Sequence, residues 1–140
     1  MKQIQEDYIQ QQAYIWLTNN YGLKHHTPRL IMYSVANEIG ASVSGALARE
    51  FKIYTGPKSK FQKVVTKVHG DYKNTGLKKG VADTHILFPN GKIIFVEFKT
   101  PTGTQRPEQK EFQLQVEALG FKYYIVRSVE QFKEIIKSEL

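Results

Sequence analysis

Two apolar segments separated by a three-residue turn dominate the second half of the sequence. The segments are DTHILF, residues 83–88, and KIIFVEF, residues 92–98, and Pro-Asn-Gly lies between them. Such segments bounded by Pro, Asn and Gly are typical of two strands joined by a tight turn. The chain must therefore accommodate a hairpin whose second strand is apolar enough, as far as Val96, to be buried on both faces.

The length of the turn decides which side chains share a face of this hairpin. With a two-residue loop, Asp83 would pair with Phe98 and point away from Glu97. The Pro-Asn-Gly sequence is better suited to a three-residue loop, formed by a type I turn that begins at the proline and a glycine in the left-handed region. This loop places Asp83 opposite Glu97, with Cβ atoms roughly 4.5–5.5 Å apart.

Charged residues interrupt the apolar pattern where the second strand ends. Glu97 and Lys99 are two residues apart and share a face. Carboxylates as close as Asp83 and Glu97 repel each other unless a positive group lies between them, and Mg²⁺ or Mn²⁺ suits such hard oxygen ligands. The ammonium of Lys99 could orient water or stabilise a pentacovalent phosphate. Alternatively, Glu97 and Lys99 form a surface ion pair and Asp83 an Asx turn.

The excess positive charge of the chain lies in one segment. The net charge is +7, and residues 51–80 carry eight lysines against one acid, Asp71. A basic patch is the electrostatic footprint of a polyanionic partner, but a solvated lysine-rich face has the same composition. Candidate DNA contacts are six of these lysines and one arginine: Lys58, Lys60, Lys63, Lys67, Lys78, Lys79 and Arg127.

Composition and hydropathy limit the class of protein. The chain has 140 residues and no cysteine, so disulfides and thiolate metal sites are excluded. No apolar run reaches about 18 residues and no signal-peptide pattern is present, so we expect no membrane association. The lack of cysteine suits a cytoplasmic protein, bacterial or, if phage-encoded, in the host. The length predicts one domain, 1–140, with a basic insertion-like segment at about 51–79.

The other segments alternate between helical and strand patterns. The helical patterns cover residues 3–18, 44–51, 57–68, 106–120 and 129–138. The strand patterns cover residues 30–36, 83–88, 92–98 and 122–127, and residues 69–80 are predicted to form a loop. This order predicts an α/β or α+β domain in which helices flank a mixed β-sheet.

Four segments, in order along the chain, resemble the VRR-NUC (virus-type replication-repair nuclease) family of PD-(D/E)xK nucleases. They are EDYIQ at residues 6–10, GLKKGVADTHILF at 76–88, FVEFKTPTG at 95–103, and the stretch from RPEQ to VEQF at 106–132. The last two are the most specific. Ala82 stands where the family usually has proline, and residues 51–75 align with no family segment.

The resemblance implies a restriction-endonuclease-like PD-(D/E)xK core and assigns roles to individual residues. Mg²⁺ or Mn²⁺ would be bound by the carboxylates of Glu6, Asp83 and Glu97 and by the backbone carbonyl of Phe98. Lys99 would be the catalytic lysine, Gln109 would orient it or the attacking water, and Gln10 would support the ligands. The alternative for Glu6 is a solvated first-turn acid favoured by the helix dipole.

The function that the resemblance implies is metal-dependent hydrolysis of DNA phosphodiesters. Small stand-alone members resemble four-way (Holliday) junction resolvases, which act as homodimers on branched DNA, and a two-fold dimer suits paired cuts. We therefore expect a structure-specific endonuclease of DNA repair, most simply a junction resolvase. Two alternatives are a nuclease for flaps, nicks or linear duplex, and a non-catalytic basic nucleic-acid-binding domain.

Overall fold

The computed structural model describes residues 2–35, 39–76 and 78–140 of the chain. They form two compact units, of which the first comprises Met1–Val35 with Gly80–Leu140 and the second comprises Ala36–Lys79. The hairpin and its charged end belong to the first unit. Most of the basic segment belongs to the second unit.

A four-stranded mixed sheet forms the centre of the first unit. Its strands lie in the spatial order β1 (Ile31–Ser34), β2 (Thr84–Leu87), β3 (Ile93–Phe98) and β4 (Lys122–Val126). The pairs β1–β2 and β2–β3 are antiparallel, whereas β3–β4 is parallel. The predicted fold class, a mixed sheet flanked by helices, is confirmed.

Among the residues that the structure describes, five α-helices accompany the strands. They are α1 (Lys2–Leu17), α2 (Ile39–Glu50), α3 (Lys60–Asn74), α4 (Pro107–Ala118) and α5 (Val129–Glu139). In the first unit, α1 and α5 cover one face of the sheet, where Ala13 and Phe132 join the core with Ile94. Helix α4 covers the other face, where Phe112 packs with Tyr123. The sheet is therefore enclosed between two layers of helix.

The register of the hairpin agrees with the predicted three-residue loop. Thr84 pairs with Val96, and extending that register by one residue places Asp83 opposite Glu97. Because one residue of slippage would turn every side chain to the opposite face, this register is a condition for bringing the two acids together.

The turn itself differs from the prediction in one respect. Phe88 N donates to Lys92 O at 2.8 Å, which closes a loop of three residues, Pro89–Gly91. Asn90 has φ 63° and Gly91 has φ 76°, so both residues are left-handed and the type I geometry predicted for Pro-Asn is wrong. Asparagine tolerates this conformation better than most residues with a side chain.

The second unit departs further from the sequence pattern. Residues 69–80 were predicted to form a loop, but α3 continues to Asn74 through Gly70, whose cost in a helix is only about 1 kcal/mol. The helix begins at an N-cap, Ser59, whose Oγ accepts from Gln62 N at 3.1 Å. The helical spacing of Phe61, Val64, Val65 and Val68 predicts an apolar face for this helix, yet Val64 and Val68 are 62% and 42% exposed.

A buried carboxylate near the end of α5 connects that helix to the sheet. Glu139 Oε2 lies 2.6 Å from Lys92 Nζ, and its Oε1 accepts from Lys122 Nζ at 2.7 Å and from the Tyr124 hydroxyl. Burial alone would raise the pKa of Glu139, but these three hydrogen bonds outweigh it and lower the pKa to about 2.

We expect Glu139→Gln to lower the free energy of unfolding by about 1–2 kcal/mol at pH 7, because two ion pairs are lost. A carboxyl whose folded pKa is about 2, against an ordinary 4.5, stabilises the fold above pH 4.5 and loses this contribution as the pH falls towards 2. The difference in the free energy of unfolding between the wild type and Glu139→Gln, measured with urea, should therefore shrink below pH 4.5. The exposed Glu134→Gln is the control, and a pH-independent difference for Glu139→Gln would contradict the expectation.

Candidate active site

Glu97, the last but one residue of β3, is fully buried and has polar partners on both carboxylate oxygens. Its Oε1 lies 2.7 Å from Lys99 Nζ and also accepts from Gln109 Nε2. Its Oε2 accepts from the Tyr123 hydroxyl at 3.3 Å. The residue that follows β3, helix α4 and strand β4 thus each contribute a side chain to one buried carboxylate.

The start of α4 holds Gln109 in position. Gln109 Oε1 accepts from Arg106 N at 2.8 Å, which caps the helix and leaves the amide nitrogen directed at Glu97. Gly80, with φ +76°, lies against this first turn, and a Cβ there would be 2.3 Å from Glu108 O. Only glycine fits so close to the helix backbone, so Gly80 brings the segment that leads into β2 next to α4.

Asp83 lies just before β2 and reaches across to the end of β3. Its Oδ2 accepts from Phe98 N at 2.9 Å. Burial, followed by the negative charge of Glu97, raises the pKa of Asp83 from 3.8 to about 7. The Phe98 N–H and the charge of Lys99 oppose this increase, and Glu6 adds to it. Two acids and a lysine predicted for the site therefore influence Asp83 directly.

Glu6 joins the site from α1. Its Oε1 accepts from Thr100 N at 3.2 Å, just beyond β3. The Cβ that an alanine would have at position 103 would lie 3.2 Å from Glu6 Oε1, so Gly103 allows the loop after β3 to approach α1 closely. The sequence contained no signal for this contact, because the two residues are 94 positions apart.

Negative charge exceeds positive charge in this cluster. Burial raises the pKa of Glu97, and the hydrogen bond and charge of Lys99 offset this only in part. Tyr123, which is not among the predicted site residues, also has a raised pKa, because it is buried and close to Glu97. One ammonium thus accompanies three carboxylates, and perturbed ionisable groups of this kind mark functional sites.

The oxygen atoms of this cluster are of the kind that a hard divalent cation prefers as ligands. Carboxylate oxygens predominate, and Thr100 Oγ1 is a further buried oxygen without a hydrogen-bond partner. As the side chains stand, however, no group of three or more acidic, histidine or cysteine residues in the described part of the chain is arranged to hold a metal ion. Glu97 is instead oriented towards Lys99 and Gln109.

The remaining predicted residues lie in several places. Gln10 is half-buried on α1 and lines a groove between α1 and β1, and Phe98 is buried. Arg127 Nη1 donates to carbonyls of the loop after β3. The six predicted lysines are exposed: Lys58, Lys60, Lys63, Lys67, Lys78 and Lys79.

Comparison with protein-family models, with curated proteins and with solved structures finds no match to this chain. The resemblance of its motifs to VRR-NUC nucleases therefore remains an inference from the residues themselves. None of the helices in the described residues is long and apolar enough to cross a membrane.

Proposed function

We propose that this chain is a Mg²⁺- or Mn²⁺-dependent DNA endonuclease of the VRR-NUC type, most simply a cytoplasmic, homodimeric resolvase of four-way junctions. The observation that carries the proposal is the cluster at the end of β3, where Glu97 contacts Lys99 and Gln109 and its charge raises the pKa of Asp83. A carboxylate pair beside one lysine is the arrangement expected of a PD-(D/E)xK nuclease, with Asp83, Glu97 and Lys99 as its three residues.

Lys99 provides the positive charge next to the reacting phosphate. It is 8% exposed and is held by Glu97, so its ammonium has few alternative positions. A preorganised cation of this kind can stabilise the charge that develops on phosphorus as water attacks and the bond to the 3′ oxygen breaks. The products would be a 3′-hydroxyl and a 5′-phosphate.

Gln109 and Tyr123 act on Glu97 rather than on the DNA. Each donates a hydrogen bond to the Glu97 carboxylate, and Gln109 is itself fixed by the cap of α4. Such outer contacts fix the orientation of the ligands that they touch. Asp83, Glu97 and Glu6, with the Phe98 carbonyl, would hold the cation, which would polarise the phosphate and lower the pKa of a bound water.

The proposal is tested with a panel of four-way junctions, flaps, nicked duplexes and linear duplexes, each incubated with Mg²⁺, Mn²⁺ or EDTA. We expect cleavage of the junction in either metal and none in EDTA, with Glu97→Gln inactive on every substrate. Absence of cleavage on all substrates in both metals would exclude the nuclease function. Cleavage restricted to flaps, nicks or linear duplex would support the proposed nuclease activity, but that DNA would replace the four-way junction as the proposed substrate.

A second candidate, a non-catalytic nucleic-acid-binding domain, is favoured by the exposed lysines of the second unit. We expect Lys60→Glu with Lys63→Glu to weaken DNA binding about tenfold at 0.1 M salt and to reduce the slope of log K against log salt by roughly two. Metal affinity should not change. Fluorescence anisotropy across a salt series measures both quantities.

The control for this double variant carries the same charge change on exposed helix positions of the first unit, Lys110→Glu with Lys137→Glu. Its salt slope should change by less than about 0.5 if neither lysine touches phosphate. Unaltered affinity and slope in the Lys60 and Lys63 variant would remove that part of α3 from the DNA surface.

A further inference from the structure

We propose that Arg127 is a positioning residue that holds the loop Thr100–Gly103 and, through it, Glu6 in the candidate active site. The inference rests on the proposed function and concerns how the site is built. It replaces, for this residue, the phosphate contact suggested by the sequence.

One terminal nitrogen of the Arg127 guanidinium contacts three of the four carbonyl oxygens in the loop Thr100–Gly103. Its Nη1 donates to Thr100 O at 2.6 Å and to Gly103 O at 2.8 Å, and lies 3.4 Å from Pro101 O. Three carbonyls of one short loop thus converge on one guanidinium. Contacts of a charged donor with carbonyl oxygens are stronger than neutral ones, so this arrangement restricts the loop.

The backbone of Arg127 is fixed as well. Arg127 N donates to Gln131 Oε1 at 2.7 Å, and Gln131 Nε2 donates back to Ile125 O at 3.2 Å. Lys99 N donates to Val126 O at 2.9 Å and so continues the parallel pairing of β3 and β4. The guanidinium is therefore attached to a rigid junction between β4 and α5, directly beside the strand end that carries Lys99.

The loop in turn contacts Glu6, so a fixed loop also fixes the position of that carboxylate. Thr100 supplies its N–H to Glu6 Oε1, and Gly103 N donates to Thr100 O at 3.0 Å in the turn that follows. A Cβ at Gly103 would lie 2.8 Å from Thr100 Oγ1 and 3.2 Å from Glu6 Oε1, so the loop is packed tightly against that carboxylate. Movement of the loop would displace Glu6 relative to Asp83 and Lys99.

The two roles of Arg127 predict different measurements. A phosphate contact contributes to DNA affinity and to its salt dependence, with a slope change of about 0.9 per contact. A positioning residue leaves DNA affinity unchanged and alters kcat and metal binding, because misplacement by about 1 Å costs on the order of 10²-fold in rate. Lysine cannot replace it fully, because a compact ammonium lacks the planar fork.

The test uses Arg127→Ala and Arg127→Lys in the full chain, with the exposed Arg29→Ala as control. For Arg127→Ala we expect kcat on the preferred DNA to fall about 30-fold, Mn²⁺ affinity to fall several-fold, and DNA affinity and salt slope to stay unchanged. Arg127→Lys should be intermediate, and about 20 mM guanidinium chloride should restore part of the Arg127→Ala rate. Amide exchange at Thr100 N–H should accelerate in both variants but not in Arg29→Ala.

Two results would overturn the proposal. One is that Arg127→Ala binds DNA more than fivefold more weakly and that its slope of log K against log salt is smaller by about one. That result identifies a phosphate contact. The other is unchanged exchange at Thr100 in Arg127→Lys, which keeps the positive charge and replaces the alanine variant in this measurement if that variant fails to fold. If the wild-type chain cuts no DNA, faster exchange and weaker Mn²⁺ binding in Arg127→Lys would still support the positioning role, while the nuclease function would be lost.

Discussion

Lys99→Ala should reduce Mg²⁺-dependent cleavage of branched DNA by roughly 10³-fold, while DNA affinity stays within about threefold of the wild-type value. The ammonium lies 2.7 Å from Glu97 Oε1 and is 8% exposed, so it is part of the site and not of the DNA-binding surface. Single-turnover cleavage and anisotropy titration measure the two quantities separately.

The loss has a second physical cause besides the missing cation at the phosphate. Burial already raises the pKa of Glu97, and the hydrogen bond and charge of Lys99 are the main opposing contributions. Without Lys99, the pKa of Glu97 rises further, and the carboxyl retains its proton over a wider pH range. A protonated carboxyl is a poor ligand for Mg²⁺, so Lys99→Ala should also weaken metal binding, most strongly at low pH.

Two variants separate catalysis from stability. Lys99→Arg keeps the positive charge beside Glu97 and should retain the fold and metal binding, with a rate loss of roughly 10- to 100-fold because the guanidinium differs in shape. Lys137→Ala, at an exposed position of α5, should leave cleavage unchanged. Wild-type cutting by a folded Lys99→Ala variant would exclude this site as the catalytic one.

The hairpin could be predicted because its determinants are local. A Pro-Asn-Gly turn between two apolar segments favours a three-residue loop, and the loop length specifies that Asp83 faces Glu97. The observed pairing of Thr84 with Val96 follows that register. The detailed conformation of Asn90 did not follow, because asparagine is compatible with both right- and left-handed turn geometries.

The partners of Glu97 could be predicted only in part. Gln109 was assigned from the family motif, but the hydroxyl of Tyr123 reaches Glu97 because β4 pairs in parallel with β3, which periodicity alone does not reveal. Likewise, the contact of Thr100 with Glu6 depends on how α1 packs against the sheet. These are tertiary consequences of packing, and no short segment of sequence encodes them.

The second unit was predicted least well because its local signals were misleading. Glycine and lysine after Val68 indicated a loop, yet α3 extends to Asn74. Its valine stripe indicated a buried face, yet Val64 is 62% exposed. An amphipathic pattern establishes which residues share a face of a helix, but not whether anything covers that face.

Asp83→Asn should abolish metal-dependent cleavage and at the same time stabilise the metal-free protein by about 1–3 kcal/mol at pH 8. Asparagine can still accept from Phe98 N through its amide oxygen, so the strand contact that Asp83 makes at 2.9 Å is retained. What is lost is a buried negative charge beside Glu97. Cleavage assays in Mg²⁺ and urea unfolding in EDTA measure the two effects.

The pH dependence fixes the sign of the stability change. Asp83 has a folded pKa of about 7 against an ordinary 3.8, so the folded state holds the proton more tightly than the unfolded state. Its ionisation therefore costs nothing below pH 3.8, lowers the free energy of unfolding progressively between pH 3.8 and 7, and has its full destabilising effect above pH 7. Asparagine removes this penalty, so the gain should be largest at pH 8 and absent near pH 3.

The response to metal distinguishes a functional acid from a merely strained one. If Asp83 is a ligand, Mg²⁺ at 100 times its dissociation constant should stabilise the wild-type protein by about 2.7 kcal/mol and Asp83→Asn much less. The stability advantage of Asp83→Asn over the wild type should therefore shrink towards zero as metal is added. Asp71→Asn, at an exposed position of α3, is the matched control and should change neither stability nor metal response. Equal stabilisation of wild type and Asp83→Asn by Mg²⁺ would show that Asp83 is no ligand, because a binding site that lacks a carboxylate cannot retain its full affinity for a hard cation.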